Sequence, residues 1–205
     1  MDFTTSGLPQ TPRIQKCYER LSAVLPQRFG PGTADLIHHL SKRGEVLAEA
    51  LGDEAAEPLI CAQFLSFLDR DTYEYDNVRH DYGHDVFLAL KNASSFSPLF
   101  SDPGFLHEVL KDPEVKKEAR MLYMATAVAE MRLITLSAEI NAANAENPAV
   151  RDRAACAKLI AEGCVGASPF LDLVMQEDLM RMTNALNRQP NPPRMPTRPP
   201  KYGLH

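Results

Sequence analysis

The sequence predicts an all-α protein: a helical bundle of about seven to eight helices around one long central helix, followed by a disordered, proline-rich C-terminal tail. Three observations predict it. Period-2 alternation and Asn-Gly or Asp-Gly hairpin signals are absent, so little or no sheet is expected. A residue able to cap a helix N-terminus, followed by Pro at the first helical position, recurs at Thr11-Pro12, Asp112-Pro113, Asn147-Pro148 and Ser168-Pro169. The stretch from Pro113 to about Ala145 spaces its apolar residues alternately by four and three.

Taken in order, the first helix starts at Pro12 and is expected to stop at Leu25, before Pro26. Thr33 and Asp53 are the caps predicted for the next two, with Gly52 closing the earlier one. Asp76 or Asn77 starts another that runs to about Asn92, and a short helix covers Phe105 to Lys111. The central helix follows from Pro113, with Val115, Ala119, Leu122, Thr126, Ala129, Leu133, Leu136 and Ile140 as a heptad seam. A second apolar row, Met124, Val128, Met131 and Ala138, lies beside it, so the helix should be surrounded by others, its methionines serving as core. At about 1.5 Å per residue it would be roughly 50 Å long. Helices from Pro148 to Gly163 and from Pro169 complete the set.

With 205 residues, 44% of them hydrophobic, one domain with a continuous core suffices. Residues 1–10 are expected to be a flexible N-terminus, 11–187 a single helical domain and 188–205 the tail. No basic-then-apolar leader precedes the first helix, and no apolar run approaches the roughly 18 residues of a membrane helix, so no membrane association is expected. Cys17, Cys61, Cys156 and Cys164 form no C-x-x-C pair and read as reduced thiols of a cytoplasmic, reducing compartment. The net charge of −5 is unevenly spread: the tail holds Arg188, Arg194, Arg198 and Lys201 and no acid, leaving the rest at −9. Phosphate binding needs clustered Lys and Arg, so an acidic body argues against nucleic acid. The heptad seam serves a dimer as well as an intramolecular bundle and leaves the oligomeric state open.

The chemically dense stretch is Asp69 to Asp85, DRDTYEYDNVRHDYGHD. On a helix His80 and His84 share one face, with Asp81 and Asp85 in the adjacent row, a pattern able to hold one divalent metal ion and activate water. The run His80-Asp81-Tyr82-Gly83-His84 resembles the His-Asp-x-Gly-His variant of the signature of HD-superfamily metal-dependent phosphohydrolases. That resemblance implies an all-helical fold and makes His80 and Asp81 metal ligands, with a further histidine from an upstream helix, for which His38 and His39 are the candidates. Projected at about 100° per residue, Val78, Tyr82, Val86, Ala89 and Leu90 fall on one arc and the His/Asp set on the opposite one, which is also the pattern of a solvated face.

The tail carries the other functional pattern. Pro193, Pro196 and Arg198, and again Pro196, Pro199 and Lys201, fit P-x-x-P-x-basic, the polyproline form that docks on aromatic grooves. Pro199-Pro200-Lys201-Tyr202 fits P-P-x-Y and resembles WW-domain ligands. Two functions follow: a helical interaction or regulatory module whose tail binds a protein partner, or an HD-like hydrolase. A source without SH3 or WW domains would restrict the tail reading to a protein delivered into a host cell. Glu130 and Arg132 interrupt the apolar centre of the long helix and need partners there.

Overall fold

Three of the four cap-and-proline pairs start helices in the computed structural model, which describes residues 7–68, 75–96 and 103–188. Thr11, Asn147 and Ser168 accept from the backbone N–H of Ile14, Ala149 and Leu171, each satisfying a donor that has no partner inside its helix. They open α1 (Pro12–Phe29), α8 (Pro148–Gly163) and α9 (Pro169–Asn187). Between them lie α2 (Thr33–Leu51), α3 (Asp53–Leu65), α4 (Tyr75–Tyr82), α5 (His84–Asn92), α6 (Pro103–Lys111) and α7 (Lys117–Ile140). The described residues thus hold nine α-helices and no strand, as the absence of β patterning predicts. The tail positions Pro193, Pro196, Arg198, Pro199, Pro200 and Tyr202 lie outside the described residues, as does the segment 69–74.

Gly32 and Gly52 stand at the N-caps of α2 and α3 in place of the expected Thr33 and Asp53, and α7 stops at Ile140 short of Ala145; three further boundary differences have a clear physical cause. Helix α1 runs through Pro26 to Phe29 and ends at Gly30, whose positive φ of 55° suits a glycine and whose N–H returns to the Pro26 carbonyl. Proline removes one bond to the residue four back, a modest loss with a single turn left to run. Asp112 caps a turn rather than a helix: its Oδ1 accepts from Glu114 N–H at 2.8 Å, and α7 begins only at Lys117. Arg120, in the first turn of α7, gathers that turn by donating to the carbonyls of Asp112, Val115 and, from α8, Gly163. The third is a break at Gly83, described with the site below.

Helix α7, 24 residues and about 36 Å long, is the centre of the bundle and packs against α2, α3, α5, α8 and α9. Arg120 meets Gly163 and Glu130 meets Arg153, so α8 runs antiparallel to α7. Arg132 meets Asp178 and Glu139 meets Arg188, so α9 runs parallel to it. Every residue from Met121 to Met131 is buried, as two adjacent apolar rows on one helix predict. The heptad seam is buried only in its first half. Leu136 and Ile140 are 54% and 76% exposed, while Ile134 and Ala138 take the core side. Towards its end α7 packs on another side, through Ala138 against Ala145 and against Ala185 of α9, which leaves the seam residues outside the core.

One apolar cluster links residues of all nine helices. The chain joins it before α1: Leu8 is buried against α2 at Gly44, where a Cβ would stand 2.4 Å from the Leu8 Cδ2. Gly7 N–H donates to Glu45 Oε1 at 3.1 Å. Residues 7–10, placed in the flexible N-terminus by the sequence, are therefore pinned to α2. None of the four cysteines is in a disulfide, and all are buried. No helix is long and apolar enough among the described residues to cross a membrane.

Candidate functional site

The stretch singled out by its chemistry is two helices. Gly83 has φ 99° and ψ 164°, a conformation that L side chains rarely adopt, and it separates α4 from α5. A Cβ there would also lie 2.8 Å from Asp85 Oδ1 and 3.3 Å from Arg13 Nη1. His80 and His84 therefore sit on different helices, and the shared i, i+4 face on which a two-histidine site depends is not formed. The burial pattern survives the break: Val78, Tyr82, Val86 and Ala89 are buried, and His80, Asp81, His84 and Asp85 are exposed.

Two cations of α1 face this junction. Arg13 Nη1 donates to the Tyr82 carbonyl at 3.2 Å and to both Asp85 oxygens at 2.8 Å, and its Nη2 pairs with Glu57 of α3. Lys16 Nζ donates to the Asp81 carbonyl at 3.2 Å, lies 3.9 Å from the Asp81 carboxylate and stands 4.8 Å over the Tyr82 ring. Cations at the C-terminal carbonyls of α4 meet the negative end of its dipole, and Asp85 stands at the positive end of α5. Asp81 and Asp85 thus help to dock α4 and α5 onto α1.

The histidines have other neighbours. His80 is 90% exposed, with Nδ1 3.2 Å from Asp81 Oδ1, and His84 stacks on Phe87 at 5.9 Å. His38 and His39 are adjacent in α2 with ring centroids 6.3 Å apart, and His39 Nδ1 lies 3.9 Å from Glu130 Oε1 in α7. Among the described residues no three His, Cys, Asp or Glu side chains converge on a point that could hold a metal ion. Asp69, Asp71 and Glu74 lie outside the described residues.

The structure gathers a second charged group that sequence reading caught only in part. Glu130, 4% exposed, accepts from Arg153 Nε at 2.8 Å and pairs also with its Nη2. Arg43 of α2, equally buried, stands close enough that Glu130 raises its pKa and Arg153 lowers it, burial dominating and bringing it to about 10. Neighbouring Gln63 donates from Nε2 to the Leu40 carbonyl at 2.9 Å. Arg132 bridges Glu49 of α2 and the buried Asp178 of α9 through bonds of 2.8 to 3.2 Å. The charges that interrupt α7 are thus paired with neighbouring helices, as burial requires. Arg43 was missed, although its sequence signal is plain: it stands in the core row Leu36, Leu40, Arg43, Leu47, opposite in sign to Glu130.

Both groups give stability a pH dependence. Burial opposes ionisation of Asp85 and Glu57, but the bonds from Arg13 outweigh it and hold both carboxyls below their ordinary values of 3.8 and 4.5. Their contribution is fully present above about pH 4.5 and is lost as pH falls through the lowered values. Burial holds the His39 imidazole below 6.5, against the attraction of Glu130 and with the repulsion of Arg43 and Arg153. The unfolded chain then binds more protons below that pH, so stability is lost on acidification from about pH 6.5 downward. Arg13→Ala is expected to cost about 1–2 kcal/mol at neutral pH and to flatten the branch below pH 4.5, leaving the His39 branch in place. Melting temperature against pH for both proteins checks this, and an unchanged acid branch in the variant would refute the assignment.

No protein-family model matches this sequence, and no curated protein or solved structure is detectably similar to it.

Proposed function

We propose that this chain is a helical interaction module whose tail, residues 188–205, is captured by a polyproline-reading domain of a protein partner. The observation that carries the reading is where the folded body closes. Its last core residues, Met182 and Ala185, lie on α9, which ends at Asn187. That helix is fixed to α7 by the Arg132 and Asp178 bond and, at its end, by Arg188 near Glu139. The P-x-x-P-x-basic and P-P-x-Y segments therefore follow an anchored helix end. A pre-extended polyproline segment loses little conformational entropy on docking. On the solvent side of the same helix Phe170, Leu173 and Met180 are exposed, an apolar surface open to a partner.

Deletion from Gln189 onward is expected to weaken capture by SH3 or WW domains at least roughly tenfold, about 1.4 kcal/mol, while leaving the helical circular dichroism and melting temperature unchanged. Pro196→Ala with Pro199→Ala should remove SH3 binding, and Tyr202→Ala should remove WW binding. Titration calorimetry against a panel of both domains reads the result. Binding that survives the deletion, or no binding by any domain in the panel, would overturn the proposal.

A further inference from the structure

Cys17 of α1 and Cys61 of α3 are both free and fully buried, and each lies one turn beyond the Arg13 and Glu57 ion pair, which sets them opposite one another across the helix interface. The contact belongs to a regular register. One turn earlier on each helix, Arg13 pairs with Glu57, so two successive pairs share the same sequence offset and α1 and α3 run parallel. Just beyond, Tyr18 and Phe64 meet edge to face with ring centroids 6.3 Å apart. The thiols are thus bracketed by an ion pair on one side and an aromatic pair on the other, which keeps the two sulfurs facing each other.

Cys156 and Cys164 are both associated with α8, eight residues apart, a separation of about 12 Å along a helix, so they cannot bridge each other.

We infer that Cys17 and Cys61 form a latent dithiol, which a small-molecule disulfide oxidant closes into one interhelical bridge that fixes α1 on α3. The thiolate of one cysteine attacks a sulfur of the oxidant RSSR, forming a mixed disulfide and releasing RS⁻, which takes up a proton. The second cysteine loses its proton and attacks the protein sulfur of the mixed disulfide, expelling the other RS⁻, which is protonated in turn. The pair gives up two electrons and two protons, and RSSR leaves as two molecules of RSH. The Cys61 thiol is held far above its ordinary pKa, first by the hydrogen bond to Cys17 and then by burial. The closed protein is therefore unreactive, and oxidation proceeds through local opening of α1. The bridge ties down the helix whose Arg13 and Lys16 hold α4 and α5, so oxidation stiffens the face that carries His80 and Asp85.

The test incubates the full chain with oxidised glutathione at mildly alkaline pH without denaturant. Intact mass, peptide mapping without reduction and thermal melting follow. The expected result is loss of two hydrogens in a single species, a Cys17 peptide joined to a Cys61 peptide, native circular dichroism and a melting temperature several degrees above the reduced protein. Cys17→Ser should give no bridge. Because the mapping is done on the natural sequence, the test does not depend on that variant folding. A bridge between any other pair, a bridged form that melts below the reduced one, or no loss of hydrogens after amide exchange shows that α1 has opened would each overturn the inference.

Discussion

Glu130→Ala is expected to lower the unfolding free energy by about 3–5 kcal/mol, the range for breaking a buried ion pair by removing one partner. The magnitude comes from what is left behind. Arg43 is buried among α2, α3 and α7 and, at about pKa 10, remains charged at neutral pH. With Glu130 gone, that charge keeps its desolvation cost and loses the carboxylate that offsets it. Arg153 is half-exposed and can turn to water, so its loss is the smaller part. In a chain of this length the change corresponds to a fall in melting temperature on the order of 10 °C. Removing both charges should be milder: Glu130→Leu with Arg43→Met replaces the pair by apolar groups of similar volume and should recover most of the loss. Urea unfolding of the single and double variants checks this. A single variant within about 1 kcal/mol of the natural protein would show that Arg43 is compensated elsewhere.

The second large effect separates two leucines that the sequence pattern treats alike. Leu122→Ala should cost about 2–5 kcal/mol, because Leu122 is fully buried in the second turn of α7 and its removal leaves a cavity that the surrounding helices close only in part. Leu136→Ala, two heptads further along the same seam, should stay within about 0.5 kcal/mol, since that side chain is already more than half in water. Equal losses at both positions would mean that the far end of the seam is covered, by a second copy of the chain or by residues outside the described set. Measuring the pair at two protein concentrations distinguishes the first of these from the second.

These contrasts follow from what a sequence can encode locally. Caps are local: Thr11, Asn147 and Ser168 each bond a backbone amide two or three residues ahead, so three helix starts were legible from dipeptides. Asp112-Pro113 carries the same dipeptide and makes a turn, because Arg120 and the end of α8 hold that backbone from a distance. Gly83 looked like one residue within a continuing helix, and its positive φ breaks that helix between Tyr82 and His84. The candidate metal face is divided between two helices for that reason. Its carboxylates are the right residues at the right spacing, but Asp81 and Asp85 are engaged by Lys16 and Arg13.

By itself the sequence determined the helical class, the placement of most helices, the burial of the α7 centre and the solvated side of the His80 and Asp85 stretch. All of these depend on periodicity and on bonds within one turn. Tertiary structure decided which charges are partners, where the heptad seam leaves the core and which thiols meet. Those outcomes depend on the approach of helices far apart in the chain, and a local pattern such as Arg43 or Cys61 acquires its role only when Glu130 or Cys17 arrives beside it.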